Sequence, residues 1–560
     1  MPAGALQLVT WVLVVTADIG PFLPLVYASL RDRPLYEHGG VFSVTGYRDL
    51  LGDRAFWHAA WNTFQYAGET TILAVLGGAA VAILVARTDL PGRRVLGRLI
   101  LLPLLLPSLG IVLGWIASYG PGGYLKLWAE RGHVPTFAIN TIPGMALIES
   151  ARLLPIAFLT CGAALARADS SLEDAARSAG ASPVRVLRSV TIPMLRPALL
   201  NSGMLIFTLG IASLGIPLLL GAQRGINMIS TYLYLNWTNG ENPDPPSVSA
   251  GAVLLLVTAT VLLIIRNRLL GAEARFVSVG GRAGRTALLQ LHGLRWVFAG
   301  AITLYLVLST LIPVVCLALM SVVVILTPLK PPWELFTWEH WHTLTEGQFR
   351  AAIEHSVLIS VVGALLTTAV VALATLVAHR SRFPLRRALP FVMLYPRATP
   401  GLIIGIGFFW AFLLTGALGD YLRGSIWGIM VAFCVRDLPF AYVVMYPTLA
   451  RIGEELDRAG RSVGAGWWLT SRRIVLPLLR PAILAAFILM FIELLNDYDP
   501  ALFLVKPSTE VIGTTMLSQF IQGMQGPVAA LALVQVVATV VVLAIGASLL
   551  KIRLTGGHDA

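Results

Sequence analysis

Charge is scarce in this chain. Asp, Glu, Lys and Arg make up 12% of its 560 residues, about half the share of a soluble domain. A soluble protein of this length needs polar surface that the sequence does not hold. Cysteine is scarcer still: Cys161, Cys316 and Cys434 lie far apart in apolar context with no CxxC spacing, which argues against a disulfide framework or a metal cluster. Only four cations are Lys, and none of the four precedes Ser or Thr. The phosphate-binding GxxxxGK[ST] loop is therefore absent, and the chain is not its own ATPase. No segment between the apolar runs is long enough to form a soluble domain.

What is present is hydrophobic: 56% of residues, with a mean hydropathy of +0.77. The apolar runs are about 20 residues long, the length a bilayer requires. Twelve candidate spans can be marked, at 6–30, 62–86, 99–118, 140–165, 198–221, 247–265, 296–326, 356–378, 388–414, 425–449, 482–504 and 528–550. The expected fold is an all-α integral membrane protein. The first run has no basic flank or clear cleavage site, so it reads as a retained span rather than a signal peptide. A net charge of +12 could suggest nucleic acid, but the cations cluster in short gaps between spans. By gap, 27 Lys or Arg fall on one side of the membrane and 11 on the other, and Arg152, Arg397 and Arg436 fall inside spans. Positive residues are retained on the cytoplasmic side. Both termini are therefore expected in the cytoplasm of a multi-pass inner-membrane protein.

The chain also repeats. A shift of 284 carries Arg152, Pro155, Arg177, Gly180, Arg188, Pro193, Arg196 and Pro197 onto Arg436, Pro439, Arg461, Gly464, Arg472, Pro477, Arg480 and Pro481. A shift of 293 carries Arg87, Pro103, Pro107 and Gly114 onto Arg380, Pro396, Pro400 and Gly407. Two six-helix halves in tandem follow, at 1–266 (core 62–266) and 296–560 (core 355–550), joined by a basic linker at 267–295. Internal repeats of this kind are common in transporters.

Each half places an organised basic stretch after its fourth span. In "LEDAARSAGASPVRVLRSVTIPMLRPALL", Ser170 and Glu173 have capping-box spacing. A short helix over 172–179 would stop at Gly180 in a left-handed turn. Ser182-Pro183 would start a second short helix, ending ahead of Pro193. A helix–turn–helix knob on the basic side offers a grip to a partner protein; a loop that only fixes topology is the plainer alternative, and duplication counts against it.

This stretch resembles the EAA loop of binding-protein-dependent ABC importer permeases (EAA, three residues, Gly, nine residues, I-x-L-P). The residues that carry the likeness are Asp174-Ala175-Ala176, Gly180 and Val190-Thr191-Ile192-Pro193. The second copy has Arg458-Ala459-Gly460 where the motif has EAA, but keeps Gly464 and Ile474-Val475-Leu476-Pro477. The resemblance implies coupling loops that dock into two separate ATPase subunits, involving Glu173, Asp174, Ala175, Ala176, Gly180 and Pro193 in one half and Asp457, Ala459, Gly460, Gly464 and Pro477 in the other. It also implies an external substrate-binding protein, no cofactor in this chain, and ATP and Mg on the partner. "ARTDLPGRR", "INTIPGM" and "TEVIGTTMLSQFIQGMQGPVAALAL" are similar to the fused two-half permeases of ferric-iron importers, with thiamine, phosphonate and polyamine permeases as relatives.

Charges inside spans are costly and mark candidate functional sites. Glu149 and Arg152 are spaced to pair on one helix face. Arg436 has Asp437 beside it, which faces elsewhere, so its partner is sought on another element, with the other half as one option. Asp18, Glu69 and Arg397 are further candidates, and Glu493, Asp497 and Asp499 gather at the end of the eleventh span. These charges could line a translocation path, where carboxylates suit a hard cation, or they could lock helices together. They would also serve the rival class, a secondary transporter driven by an ion gradient.

Overall fold

The computed structural model describes residues 3–133, 135–168, 170–238, 244–273, 288–453 and 455–549. Regular structure among them is helical, with three isolated β-bridges. Ten helices are long and apolar enough to cross a bilayer, or eleven if one bent pair counts as a span. Five belong to each sequence half: Gly4–Ser29, Arg54–Arg87, Ile142–Arg167, Pro183–Ala212 and Pro245–Leu269, then Leu294–Val322, Gly347–Arg380, Ile426–Arg451, Trp467–Asn496 and Gln525–Leu549.

The twelve-span expectation differs at the third span of each half, which is broken. Helices Arg93–Leu104 and Ser108–Arg131 meet at 99°. In the second half, Leu389–Leu394 and a 3-10 turn at Tyr395–Ala398 precede Gly401–Leu414. Proline sets both breaks. A residue before proline is pushed out of the helical region, and Leu106 (ψ 143°) and Thr399 (ψ 126°) are extended ahead of Pro107 and Pro400.

Proline acts differently in the fifth spans. The second short helix expected to end before Pro193 does not end: Pro183–Val186 runs through a π-helical turn, Leu187–Thr191, into Ile192–Ala212. The π turn Ser471–Val475 precedes Pro477 in the same way, and Val307–Leu311 precedes Pro313 in the seventh span. In an α-helix the proline ring meets the carbonyl four residues back. At all three sites that carbonyl lies inside the widened turn, so the helix continues instead of stopping.

The chain forms two compact units. One comprises residues 54–232 and 258–340. Its core gathers Ala74 and Val81 of the second span, Leu153, Leu154 and Ala157 of the fourth, Ile206 of the fifth, and Ile302 and Leu306 of the seventh. Helix Ser108–Tyr119 approaches the seventh span closely: a Cβ on Gly114 would lie 2.6 Å from the Pro313 carbonyl oxygen. On the arginine-rich side, Leu289 pairs with Thr88 in a parallel bridge. Its N–H donates to the Arg87 carbonyl at 2.9 Å and its carbonyl accepts from the Asp89 N–H at 3.2 Å. The Leu291 N–H donates to Asp89 Oδ1 at 2.8 Å. This bridged segment is the end of the expected linker, of which 274–287 lie outside the described residues.

The other unit comprises residues 1–53, 233–257 and 341–560. Here the first span packs on Gly401–Leu414, and a Cβ on Gly407 would lie 3.0 Å from the Pro21 carbonyl oxygen. Gly114 and Gly407 are repeat equivalents, so each glycine seats the first span of the opposite sequence half. The compact units cut the chain elsewhere than the boundaries 1–266 and 296–560 expected from the repeat.

Candidate functional site

The two basic stretches fold alike. Helix Ser170–Ser178 is followed by Gly180 at φ +80°. Gly180 donates its N–H to the Arg177 carbonyl at 2.9 Å, and Ala181 donates to Ala176 at 3.0 Å. This pair of bonds is a Schellman turn, and it requires the left-handed glycine. The second copy has helix Glu455–Ser462, Gly464 at φ +80°, and a bond from Ala465 to the Gly460 carbonyl at 3.0 Å. Asp174 is exposed and bonded to Arg177 on its own helix at 2.6 Å. Ala175 and Ala459 are also exposed. Gly460 stands where the first copy has Ala176, and the structure gives a reason: a Cβ there would lie 2.7 Å from Thr470 Oγ1.

Glu173 is buried, with two side-chain partners. Its Oε1 accepts from Arg87 Nε at 3.2 Å and from Thr191 Oγ1 at 3.0 Å. Arg87 is the last residue of the second span, and it also donates to the Leu165 carbonyl at the end of the fourth, at 3.0 Å. The second half repeats the device. Arg380, the last residue of Gly347–Arg380, donates to Asp457 Oδ2 at 2.6 Å. It also donates to the Leu449 carbonyl at 2.9 Å and to the Ile452 carbonyl. Reading the sequence picked out all four residues without joining them. The two shifts offered the signal, since one relates Arg87 to Arg380 and the other relates Glu173 to Asp457.

The arginines of the two fourth spans are paired. Arg152 donates Nε to Glu149 Oε2 at 3.1 Å and Nη2 to Oε1 at 2.5 Å, as the spacing predicts. Arg436 finds its partners not across the halves but in its own half, on the segment after the eleventh span. It bonds Asp497 through Nη1 and Asp499 through Nη2, the latter at 2.8 Å. The repeat equivalents of these aspartates are Ser213 and Gly215, and the equivalent of Glu149 is Phe433. The arginine is thus kept in both halves while its acid comes from a different element. Asp437 is buried on the same helix. Asp18 is buried in the first span, and Glu69 accepts from Gln65 at 2.9 Å. The Arg397 side chain lies outside the described residues. Among the described residues, no three His, Cys, Asp or Glu side chains are placed to hold a metal ion. His355 bonds the Glu510 carbonyl at 2.9 Å, and His379 bonds the Tyr442 hydroxyl at 3.0 Å.

The model of the binding-protein-dependent transport system inner membrane component matches this chain twice, at residues 75–272 and 370–551. The chain belongs to this family. Each match contains one glycine-centred stretch and one clamping arginine. Membership decides between the two transporter classes left open by the sequence, and it gives a multi-pass inner-membrane protein. A putative ferric transport system permease protein of Haemophilus influenzae is 26% identical over 515 residues, covering 88% of this chain and 77% of the relative. A ferric transport system permease protein of Actinobacillus pleuropneumoniae is 24% identical, covering 88% and 71%. A putative 2-aminoethylphosphonate transport system permease protein of Salmonella typhi is 27% identical over 238 residues, covering 42% and 82%. Among solved structures, a bacterial ABC transporter importing the polysaccharide alginate matches 52% of this chain and all of that one, with 19% identity and a TM-score of 0.39.

Proposed function

We propose that this chain is the membrane subunit of an ABC importer, carrying both permease halves, and that its cargo is ferric iron. One observation carries the reading of the class: the glycine-centred helix–turn–helix occurs twice, after the fourth span of each half, with the same φ of +80° at Gly180 and Gly464. We take these loops as docking knobs for two ATPase subunits, which would hold ATP and Mg. The chain itself does no covalent chemistry and needs no cofactor. The arginine-rich side then faces the cytoplasm, with both termini, and an external binding protein delivers cargo to the opposite face.

For cargo, the support is that ferric permeases are similar to this chain across 88% of its length. The test is uptake of radiolabelled ferric iron by cells with and without the gene. Loss of iron uptake on deletion is expected. Unchanged iron uptake with loss of 2-aminoethylphosphonate uptake would overturn the cargo and leave the class standing. Retained uptake of every cargo after removal of the partner ATPase would overturn the class.

A further inference from the structure

We infer that Arg87 and Arg380 are positioning residues that bind each coupling loop rigidly to the ends of its second and fourth spans, so that a displacement of the loop reaches the spans. This rests on the reading of the loops as ATPase-docking knobs.

The geometry is threefold at each site. The arginine is the last residue of one span. Its guanidinium fixes a carbonyl near the end of another, Leu165 or Leu449. It also holds the acid of the loop helix, Glu173 or Asp457. The side chains are sheltered: Arg87 is 13% exposed and Glu173 5%, while Arg380 is 5% exposed and Asp457 17%. Ion pairs open to water contribute little, whereas sheltered, charge-assisted bonds with a planar donor fix direction as well as distance. An arginine reaches two partners at once in fixed geometry, and a lysine does not.

Both arginines are sheltered from solvent. The exposed apolar residues on the loops are others, such as Leu172 at 54% and Val463 at 81%. Loss of the arginine should therefore separate two properties that loss of the loop removes together. The ATPase should still dock, but docking should no longer drive the spans. Two copies of the device, built on a Glu in one half and a shorter Asp in the other, argue against accident.

The experiment uses the whole transporter in proteoliposomes, with its ATPase and binding protein. Arg87→Gln and Arg380→Gln are each compared with Arg87→Lys, Glu173→Gln and Leu172→Asp. The readouts are ATPase co-purification, the ratio of ATP hydrolysis with and without loaded binding protein, and cargo uptake. The Gln variants are expected to retain the ATPase while the hydrolysis ratio and uptake fall about tenfold; Lys should recover part of each. If a Gln variant does not accumulate, Glu173→Gln, which keeps shape and removes charge, should show the same split. A wild-type ratio and uptake in these variants, or loss of the ATPase in parallel with loss of uptake, would overturn the inference. Failure of the docking reading shows elsewhere: Leu172→Asp would then leave ATPase association intact.

Discussion

Arg152 and Arg436 occupy one position of the repeat and are neutralised by different elements. For Arg152 the acid is three residues earlier on the same helix, and spacing alone revealed it. For Arg436 the acids are 61 and 63 residues away, at the far end of the next span. Periodicity carries no information about such a contact, which is why the sequence left the partner of Arg436 unnamed. Residue chemistry sets the energetics in both cases. Breaking one member of a buried pair leaves an uncompensated charge and costs about 3–5 kcal/mol, whereas replacing both with apolar side chains is often neutral. Glu149→Ala is therefore expected to lower the thermal unfolding temperature of the purified protein sharply. Glu149→Leu with Arg152→Met should restore most of the loss. If the double variant is restored in stability but fails in uptake, the pair serves transport as well as packing.

At the scale of elements, the loop helix and its glycine stop were legible because helix-forming residues and a left-handed glycine act locally. The continuation through Pro193 was not, because a proline is compatible with either a stop or a widened turn. Open space surrounds both turn glycines: a Cβ at either position would have no atom within 4 Å, so a substitution there acts through backbone conformation alone. Gly180→Val and Gly464→Val should each cost about 1–2 kcal/mol locally and reorient the loop. Membrane insertion is expected to be normal, with ATPase co-purification reduced in both. Equal co-purification with wild type would count against a docking role. The π turn makes a separate prediction. Pro193→Ala removes the ring that the widened turn accommodates, and a return to α geometry would rotate the loop against its span by roughly 100°, one residue's worth of a 3.6-residue turn. The expected outcome is a protein of equal or greater thermal stability with impaired uptake.

At the scale of the whole molecule, the duplication was plain in two constant shifts, and the all-helical membrane fold followed from composition. The packing of the first spans was not visible, because hydropathy marks that a segment crosses the membrane and says nothing of its neighbours. Close approach at Gly114 and Gly407 gives the tightest test of that packing. Gly407→Val places side-chain atoms against the Pro21 backbone and should cost about 1–3 kcal/mol through overpacking. Truncating Pro21 cannot relieve it, since the contact is with a carbonyl. Thermal unfolding of Gly407→Val beside Gly407→Ala measures the effect, and equal stability of Val, Ala and wild type would argue against the contact. Topology is tested by reporters fused after Asp559 and within 222–246, which are expected on opposite sides of the membrane. The cation distribution predicts this sidedness.

The bridge at Leu289 gives the fusion of the halves a mechanical meaning. It hydrogen-bonds the backbone of Arg87, whose side chain holds the first loop, and the bridges among the described residues include no counterpart beside Arg380. Two loops of the same shape thus hang from unlike supports. Were the halves encoded as separate chains, the point of division would matter. A cut before Leu289 would turn that pairing into an interface between two polypeptides. A cut after Leu291 would leave the bridged segment with its first-half partner but sever it from the span that follows.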